Sequence, residues 1–214
     1  MSETTGQIRF WGAGTSRTLR PVWVAEELGI PYELMPIGPR TGETQTADYT
    51  RLNPKQKVPA MVDGDFRLSE SLAICRYLIE NYPGEAIFRP GAARDRARED
   101  EWCCYIYGEI DETSLYVMRR HRDLAHIYGE APAAVSSGKE YALKHLGVVA
   151  AQMKDREFIM AGGFGLADVM LMTCLEWAHA YGLELPEVLD GYRHRISERP
   201  AYQRAAAVNF RQEI

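Results

Sequence analysis

A mixed α/β domain followed by an all-helical domain is the fold class this sequence predicts, and three observations carry it. Within residues 8–35 a short apolar run, a helical pattern and a second apolar run follow one another, the order of a βαβ unit. Between Asn53 and Leu78 a tight-turn signal joins two more short runs and leads into a helix. From Arg94 onward the periodic stretches keep helical spacing. The expected division is residues 1–82 for the first domain, 83–93 for a linker and 94–214 for the helical domain.

Ile8-Arg9-Phe10-Trp11 makes the first strand, ended by the Gly12-x-Gly14 turn. A helix is expected from about Thr18 to Leu28, with Leu19, Val22, Ala25 and Leu28 inward and Gly29 ending it. Tyr32-Glu33-Leu34-Met35 is the second strand, parallel to the first through a right-handed crossover. Residues Gly38 to Arg51 are polar and turn-rich, with room for one short helix. Ala60-Met61-Val62 and Phe66–Leu68 form a hairpin about Asp63-Gly64, because Gly accepts the positive φ such turns need. Phe66 and Leu68 alternate with Asp65 and Arg67, the pattern of a half-buried strand. Ser69-Glu70-Ser71 starts a helix with Leu72, Cys75, Ile79 and Tyr82 on one face. The completed order, βαβ then ββα, is the thioredoxin-like plan.

Pro83, Gly84, Pro90 and Gly91 break any periodicity over the linker. Beyond it, Trp102, Tyr105, Ile106, Ile110 and Thr113 make one inward stripe, with Gly108 as a bend. Val135, Ala142, Leu146, Val149 and Met153 make another, on a helix beginning after Pro132. Val169–Ala178 is nearly all apolar, as a buried helix requires. Pro200 sits at an early helical position, where its missing N–H costs nothing.

Composition narrows function. The 214 residues are 46% hydrophobic and 26% charged, with a net charge of −5, which is ordinary for a globular chain. The densest basic cluster, Arg119-Arg120-His121-Arg122, reads as a solvated helix end, so no nucleic-acid partner is expected. No apolar run approaches the ~20 residues that span a membrane, and Met1–Gln7 lack a leader's apolar segment. A cytoplasmic protein is expected. Cys75, Cys103, Cys104 and Cys174 lie in helical patterns without a CxxC pair, as small buried hydrophobes in a reducing compartment would. The five histidines show no metal-ligand spacing, so no metal is expected.

Two features between Asn53 and Leu78 go beyond punctuation. Pro59 pushes Val58 toward an extended conformation, which leaves the Val58 N–H and C=O free to pair outside the next strand. The helix start at Ser69–Ser71 presents unpaired N–H groups and a positive dipole end, a seat for a carboxylate. Glu70 beside it could hold an ammonium. A ligand with an α-amino-acid head and a peptide-like middle suits both.

Asn53-Pro54, Lys57-Val58-Pro59, Glu70-Ser71-x-x-Ile74 and Tyr77-Leu78 resemble the glutathione-binding core of the glutathione S-transferase family. The likeness continues through Phe164–Val169 and Arg199–Arg204, and so spans nearly the whole chain. Phe164–Val169 resembles the family's capping box before a buried helix, in which Asp168 would bond back to the helix start; the cap position is Gly165, where the family usually carries Ser or Thr. A hydroxyl four residues before Arg20 is similar to the serine-type, theta- or beta-like cytosolic classes. No Tyr and no Cys lies between Ile8 and Arg20, which speaks against the tyrosine classes and against the classes that use a catalytic thiol.

The resemblance implies a site. Ser16 would hydrogen-bond the glutathione sulfur, with Thr15 as the neighbouring alternative. Val58, ahead of Pro59 in a cis peptide, would pair with the cysteinyl part. Lys57 would meet the glycyl carboxylate, and Glu70 with Ser71 the γ-glutamyl head. Glutathione is then the co-substrate, and the electrophile would sit near Trp11, the Ser16 turn and the helix after Arg94. Tyr105, Tyr107 and Tyr116 are available to line its pocket. A homodimer is implied as well. Two alternatives stay open: a scaffold or ligand-binding module without catalysis, and a glutathione-dependent isomerase, dehalogenase or peroxidase.

Overall fold

The computed structural model describes residues 7–211, and their contacts fall into two units. One comprises the chain up to Ile87 together with the stretch from Glu198 onward; the other is Phe88–Ser197. The expected helical domain of 94–214 therefore loses its last helix to the first unit, for reasons that lie in side chains of the first helix.

In the first unit β1 (Ile8–Trp11), α1 (Ser16–Leu28) and β2 (Tyr32–Met35) form the βαβ unit, with β1 and β2 parallel. A single 3-10 turn and the short α2 (Ala47–Leu52) follow. Then β3 (Ala60–Asp63) and β4 (Phe66–Ser69) lead into α3 (Ser71–Asn81). The sheet order is β2-β1-β3-β4, with β3 antiparallel to both neighbours. Gly64 at φ 60° is the first of two loop residues, and Asp63 pairs with Phe66. The turn thus sits one residue later than the sequence suggests.

Two expected faces shift. β4 is an edge strand, so Phe66 is 42% exposed and rests on Tyr77 with ring centroids 4.9 Å apart. On α3 the buried positions are Ser71, Ile74, Cys75, Leu78 and Ile79, while Leu72 is only half-buried. α1 is buried almost all round from Thr18 to Ala25 because α10 (Pro200–Asn209) covers it. Trp23 packs edge-on to Tyr202, and Arg199 grips Glu27 through Nε (2.7 Å) and a terminal nitrogen (2.8 Å). An Arg–carboxylate fork with the acid side chain this buried holds geometry better than a surface pair.

The second unit is helical throughout: α4 (Ala93–Tyr105), a π-helical stretch (Ile106–Tyr116) that runs into α5 (Val117–His121), α6 (Ala125–Tyr128), α7 (Pro132–Met153), α8 (Leu166–Ala180) and α9 (Glu187–Ser197). The π stretch explains the one stripe that fails. Its wider turn moves the inward position on by one, so Ser114 is buried and Thr113 exposed. Cys104 is likewise exposed, while Cys75, Cys103 and Cys174 are buried free thiols. Burial pushes the Cys75 thiol up to about 12, so it is chemically inert.

α8 is the buried centre, from Leu166 to Leu175 without a break. Its N-terminus is capped in an unexpected way. Gly165 has no side chain to offer, and Glu99 of α4 accepts from the Leu166 N–H instead (3.2 Å). A Cβ at position 165 would stand 2.8 Å from Glu99 Oε1, so the glycine and the glutamate belong together. Asp168 closes the box, accepting from Gly165 N (2.9 Å) and also from Ile159 N (3.0 Å) and Tyr192 OH (2.8 Å). No helix is long and apolar enough to cross a membrane among the described residues.

Candidate glutathione site

The register of the sheet gathers the candidate residues. Trp11 pairs with Ala60, and Ala60 with Ser69, so one row of the sheet ends three segments together. The turn Gly12–Ser16 leaves from Trp11, Lys57-Val58-Pro59 arrives at Ala60, and Glu70-Ser71 departs from Ser69. Residues more than fifty positions apart in sequence therefore emerge at one end of the sheet. Gly12 tightens the cluster: at φ 120°, a Cβ there would meet Val58 Cβ at 2.6 Å and Thr18 Cγ2 at 2.7 Å. Only glycine lets the turn approach this closely.

The two hydroxyls of the turn differ in what they are free to do. Thr15 is the N-cap of α1 and 9% exposed. Its oxygen accepts from Thr18 N (3.1 Å) and lies 3.0 Å from Thr18 Oγ1, while the Thr15 N–H donates to Thr18 Oγ1 (3.0 Å). That reciprocal box uses both the proton and the lone pair of Thr15. Ser16 is the first residue of the helix, half-buried, and its hydroxyl has no hydrogen-bond partner among the described residues.

The loop before β3 is held by its own backbone. Tyr49 OH (2.6 Å) and Asn53 Nδ2 (2.8 Å) both donate to the Lys57 carbonyl. The Lys57 side chain is exposed and forms no ion pair among the described residues. Val58–Pro59 is a cis peptide, and the half-buried Val58 makes no hydrogen bond with another described residue. Its N–H and C=O remain available to an extended ligand.

At the start of α3, Glu70 adopts φ 76° and ψ 116°, unusual for a residue with a side chain. Strain of this kind collects at functional sites. Its carboxylate is paired with Lys55 (2.8 Å), both side chains being about half exposed. The sequence analysis names no cation for Glu70 within the protein, and so missed Lys55. It also missed Arg20, a fully buried guanidinium that donates to Ser71 Oγ (3.2 Å) and ties α1 to α3 behind the site. A buried arginine in a helix carries no sequence signal beyond its interruption of an apolar run. A cavity of about 680 Å³ lies under α2, lined by Trp11, Tyr49, Leu52 and Val62, and contains none of these candidates. Among the described residues no group of three or more His, Cys, Asp or Glu side chains is placed to hold a metal ion.

A thioredoxin-like unit whose sheet end offers an extended backbone, a helix N-terminus and an unpartnered hydroxyl suits a small peptide-like ligand, and here a helical unit follows it. Comparison with known proteins makes the family specific. Residues 6–80 match the model of the glutathione S-transferase N-terminal domain, and residues 132–206 that of the C-terminal domain. A glutathione S-transferase of Escherichia coli O157:H7 is 32% identical over 161 residues, covering 74% of this chain and 76% of the relative. The theta-1 enzyme of Mus musculus is 28% identical, over 83% of this chain and 74% of its own. The chain belongs to the glutathione S-transferase family. Among solved structures, the theta class glutathione S-transferase of Xanthomonas axonopodis pv. citri, determined with glutathione bound, superposes with a TM-score of 0.79 at 27% identity, covering 95% of this chain and 99% of that one. A glutathione transferase of Phanerochaete chrysosporium shares the fold with a TM-score of 0.85 at 22% identity, over 98% of both chains.

Proposed function

We propose that this chain is a glutathione transferase that binds glutathione at the Trp11–Ala60–Ser69 end of the sheet and conjugates it to a small, largely apolar electrophile. The observation that carries the reading is the convergence there of an unpartnered Ser16 hydroxyl, an unpaired Val58 backbone and the strained N-terminus of α3. The Val58 N–H and C=O pair with the cysteinyl residue. The α3 N-terminus, with Ser71, receives the γ-glutamyl carboxylate, and Glu70 its ammonium. Lys57 meets the glycyl carboxylate. The sulfur then lies at the start of α1, where Ser16 donates to it.

The chemistry follows from the thiol. Free, at a pKa near ~8.5, it is mostly protonated at neutral pH. The Ser16 donor and the positive end of α1 both favour the thiolate. The thiolate lone pair attacks the electrophilic carbon, a C–S bond forms, and the electron pair leaves with the departing group or moves to the activated acceptor. Ser16 keeps its own proton. The protein acts as a homodimer in the cytoplasm, in keeping with its family.

The decisive test is a glutathione titration read by the ultraviolet absorbance of the bound thiolate across pH. Saturable binding with a thiol pKa below that of free glutathione is expected. Binding without that shift removes the activation step, and no binding at millimolar glutathione removes the function. A second test addresses the amino end of the peptide. Glu70→Ala weakens glutathione about tenfold, some 1.4 kcal/mol, whereas Lys55→Ala, which frees the carboxylate, leaves affinity equal or tighter. Unaltered affinity in Glu70→Ala would remove Glu70 from the site.

A further inference from the structure

We propose that Asn209, the last residue of α10, is a positioning residue for thiol activation: it locks the peptide on which Ser16 is mounted. The inference rests on the assignment of Ser16 to the glutathione sulfur.

Asn209 is 1% exposed, and three of its polar groups are spent on the turn before α1 and on the first turn of that helix. Its backbone carbonyl accepts from Gly14 N (2.8 Å), its Nδ2 donates to the Thr15 carbonyl (3.1 Å), and its Oδ1 accepts from Thr18 Oγ1 (2.7 Å). The orientation of the amide is unambiguous. The Thr15 carbonyl can only accept, so the nitrogen must face it, and the oxygen takes the Thr18 hydroxyl.

The Thr15 carbonyl belongs to the peptide whose nitrogen is that of Ser16. Its direction fixes the plane of that peptide and hence where the Ser16 Cβ points. Earlier in the turn, the Gly12 and Ala13 N–H groups donate to the Met35 and Ile37 carbonyls (3.0 Å each), and Thr18 Oγ1 lies 2.9 Å from the Thr15 carbonyl itself. Gly12 at φ 120° and Gly14 at φ 76° flank the site, and glycine visits either side of φ with nearly equal ease. The first hydrogen bond of α1, from Leu19 N to Thr15 O (3.1 Å), is shared with Asn209. The Gly14 N–H and the Thr15 C=O are thereby clamped by one residue 195 and 194 positions away respectively. A hydroxyl that must reach a sulfur atom is sensitive to this, since a misplacement of ~1 Å can cost up to ~10²-fold in rate.

A purely structural clamp would lower stability alone, so the test reads the thiol. Asn209→Ala is compared with the parent for glutathione affinity, bound-thiol pKa and kcat, each in the Ser16 and in the Ser16→Ala background. The expected result is a bound-thiol pKa higher by about one unit, hence about tenfold less thiolate at neutral pH, with affinity within about twofold. In the Ser16→Ala background the same substitution adds nothing further. Asn209→Asp preserves shape and the acceptor for Thr18 but removes the donor to Thr15. It is measured in the same cycle and serves where the alanine variant does not fold; loss confined to the Ser16 background is again expected. A folded variant with an unchanged thiol pKa, or an equal change in both backgrounds, overturns the proposal. If Ser16→Ala by itself leaves the thiol pKa unmoved, the Ser16 assignment fails, and that outcome is read without Asn209.

Discussion

Ser16→Ala lowers kcat/KM for glutathione conjugation by about 30-fold at neutral pH while leaving glutathione affinity nearly intact. A hydrogen bond to a charged acceptor contributes about 2 kcal/mol, and each 1.36 kcal/mol is tenfold in rate. Ser16 is placed to give this effect because its hydroxyl has no competing partner among the described residues, whereas Thr15 is consumed by its box with Thr18. The deficit has a signature in pH. Ser16 acts by lowering the thiol pKa, so the variant lags most where the parent thiol is ionised and the unassisted thiol is not. The two rates converge as the pH rises past ~8.5, where the thiol ionises unaided. Steady-state rates from pH 6 to 9.5 check this. A deficit of constant size across that range would mean that Ser16 acts after ionisation, and no deficit would remove it from the chemistry. Thr15→Val, by contrast, lowers thermal stability through the lost cap, by about 1 kcal/mol.

The largest effect on stability is expected at Asp168. Asp168→Ala strips the acceptor from Ile159 N, Gly165 N and Tyr192 OH at once, inside a site with no exposure. Each buried donor left without a partner costs about 1–3 kcal/mol, and about 4 kcal/mol in total survives relaxation of the loop. Denaturant unfolding of the two proteins measures it, and a loss under about 1 kcal/mol would show that the box at the head of α8 is ornamental. Asp168 also carries a pH dependence of unusual sign. Burial pushes its carboxyl up to about 6 from an ordinary 3.8, although the three donors pull the other way and the neighbouring Glu99 adds to the rise. The folded state therefore holds the proton more tightly than the unfolded one. Its contribution to stability is fully present below the ordinary value and is lost as the pH rises toward 6. Asp168→Asn does not titrate there, so the stability difference between parent and variant should move against the parent between about pH 4 and 6 and then stay level. A difference that grows with pH would reverse the assignment.

What could be read from the sequence was local. The hairpin around Gly64, the glycine stop after Leu28 and the proline at the start of α10 each depend on residues within four positions of one another. Their chemistry is therefore visible as spacing. The family likeness at Asn53–Leu78 added the order in which such pieces occur, and with it the candidate site. The buried faces were legible only while the helical period held. Across Ile106–Tyr116 the π-helical winding displaced Thr113 in favour of Ser114, and no local residue announces that change.

The tertiary structure alone decided which groups are spent and which are free. Thr15 and Ser16 are adjacent hydroxyls on paper; the fold engages one in a cap and leaves the other unpartnered. Glu70 pairs with Lys55, fifteen positions away, and the Lys57 carbonyl is pinned by Tyr49 and Asn53 while its side chain is exposed. Gly165 lacks the expected hydroxyl, and Glu99 from another helix supplies the acceptor in its place. Asn209 bonds to Thr15 and Thr18 across 194 and 191 positions of sequence. For Glu70, Gly165 and Asn209 the partner is set by packing between segments separated in sequence, where hydrogen bonds go to whichever group the backbone brings within about 3 Å. Periodicity and spacing specify what a segment forms; they do not specify what it meets.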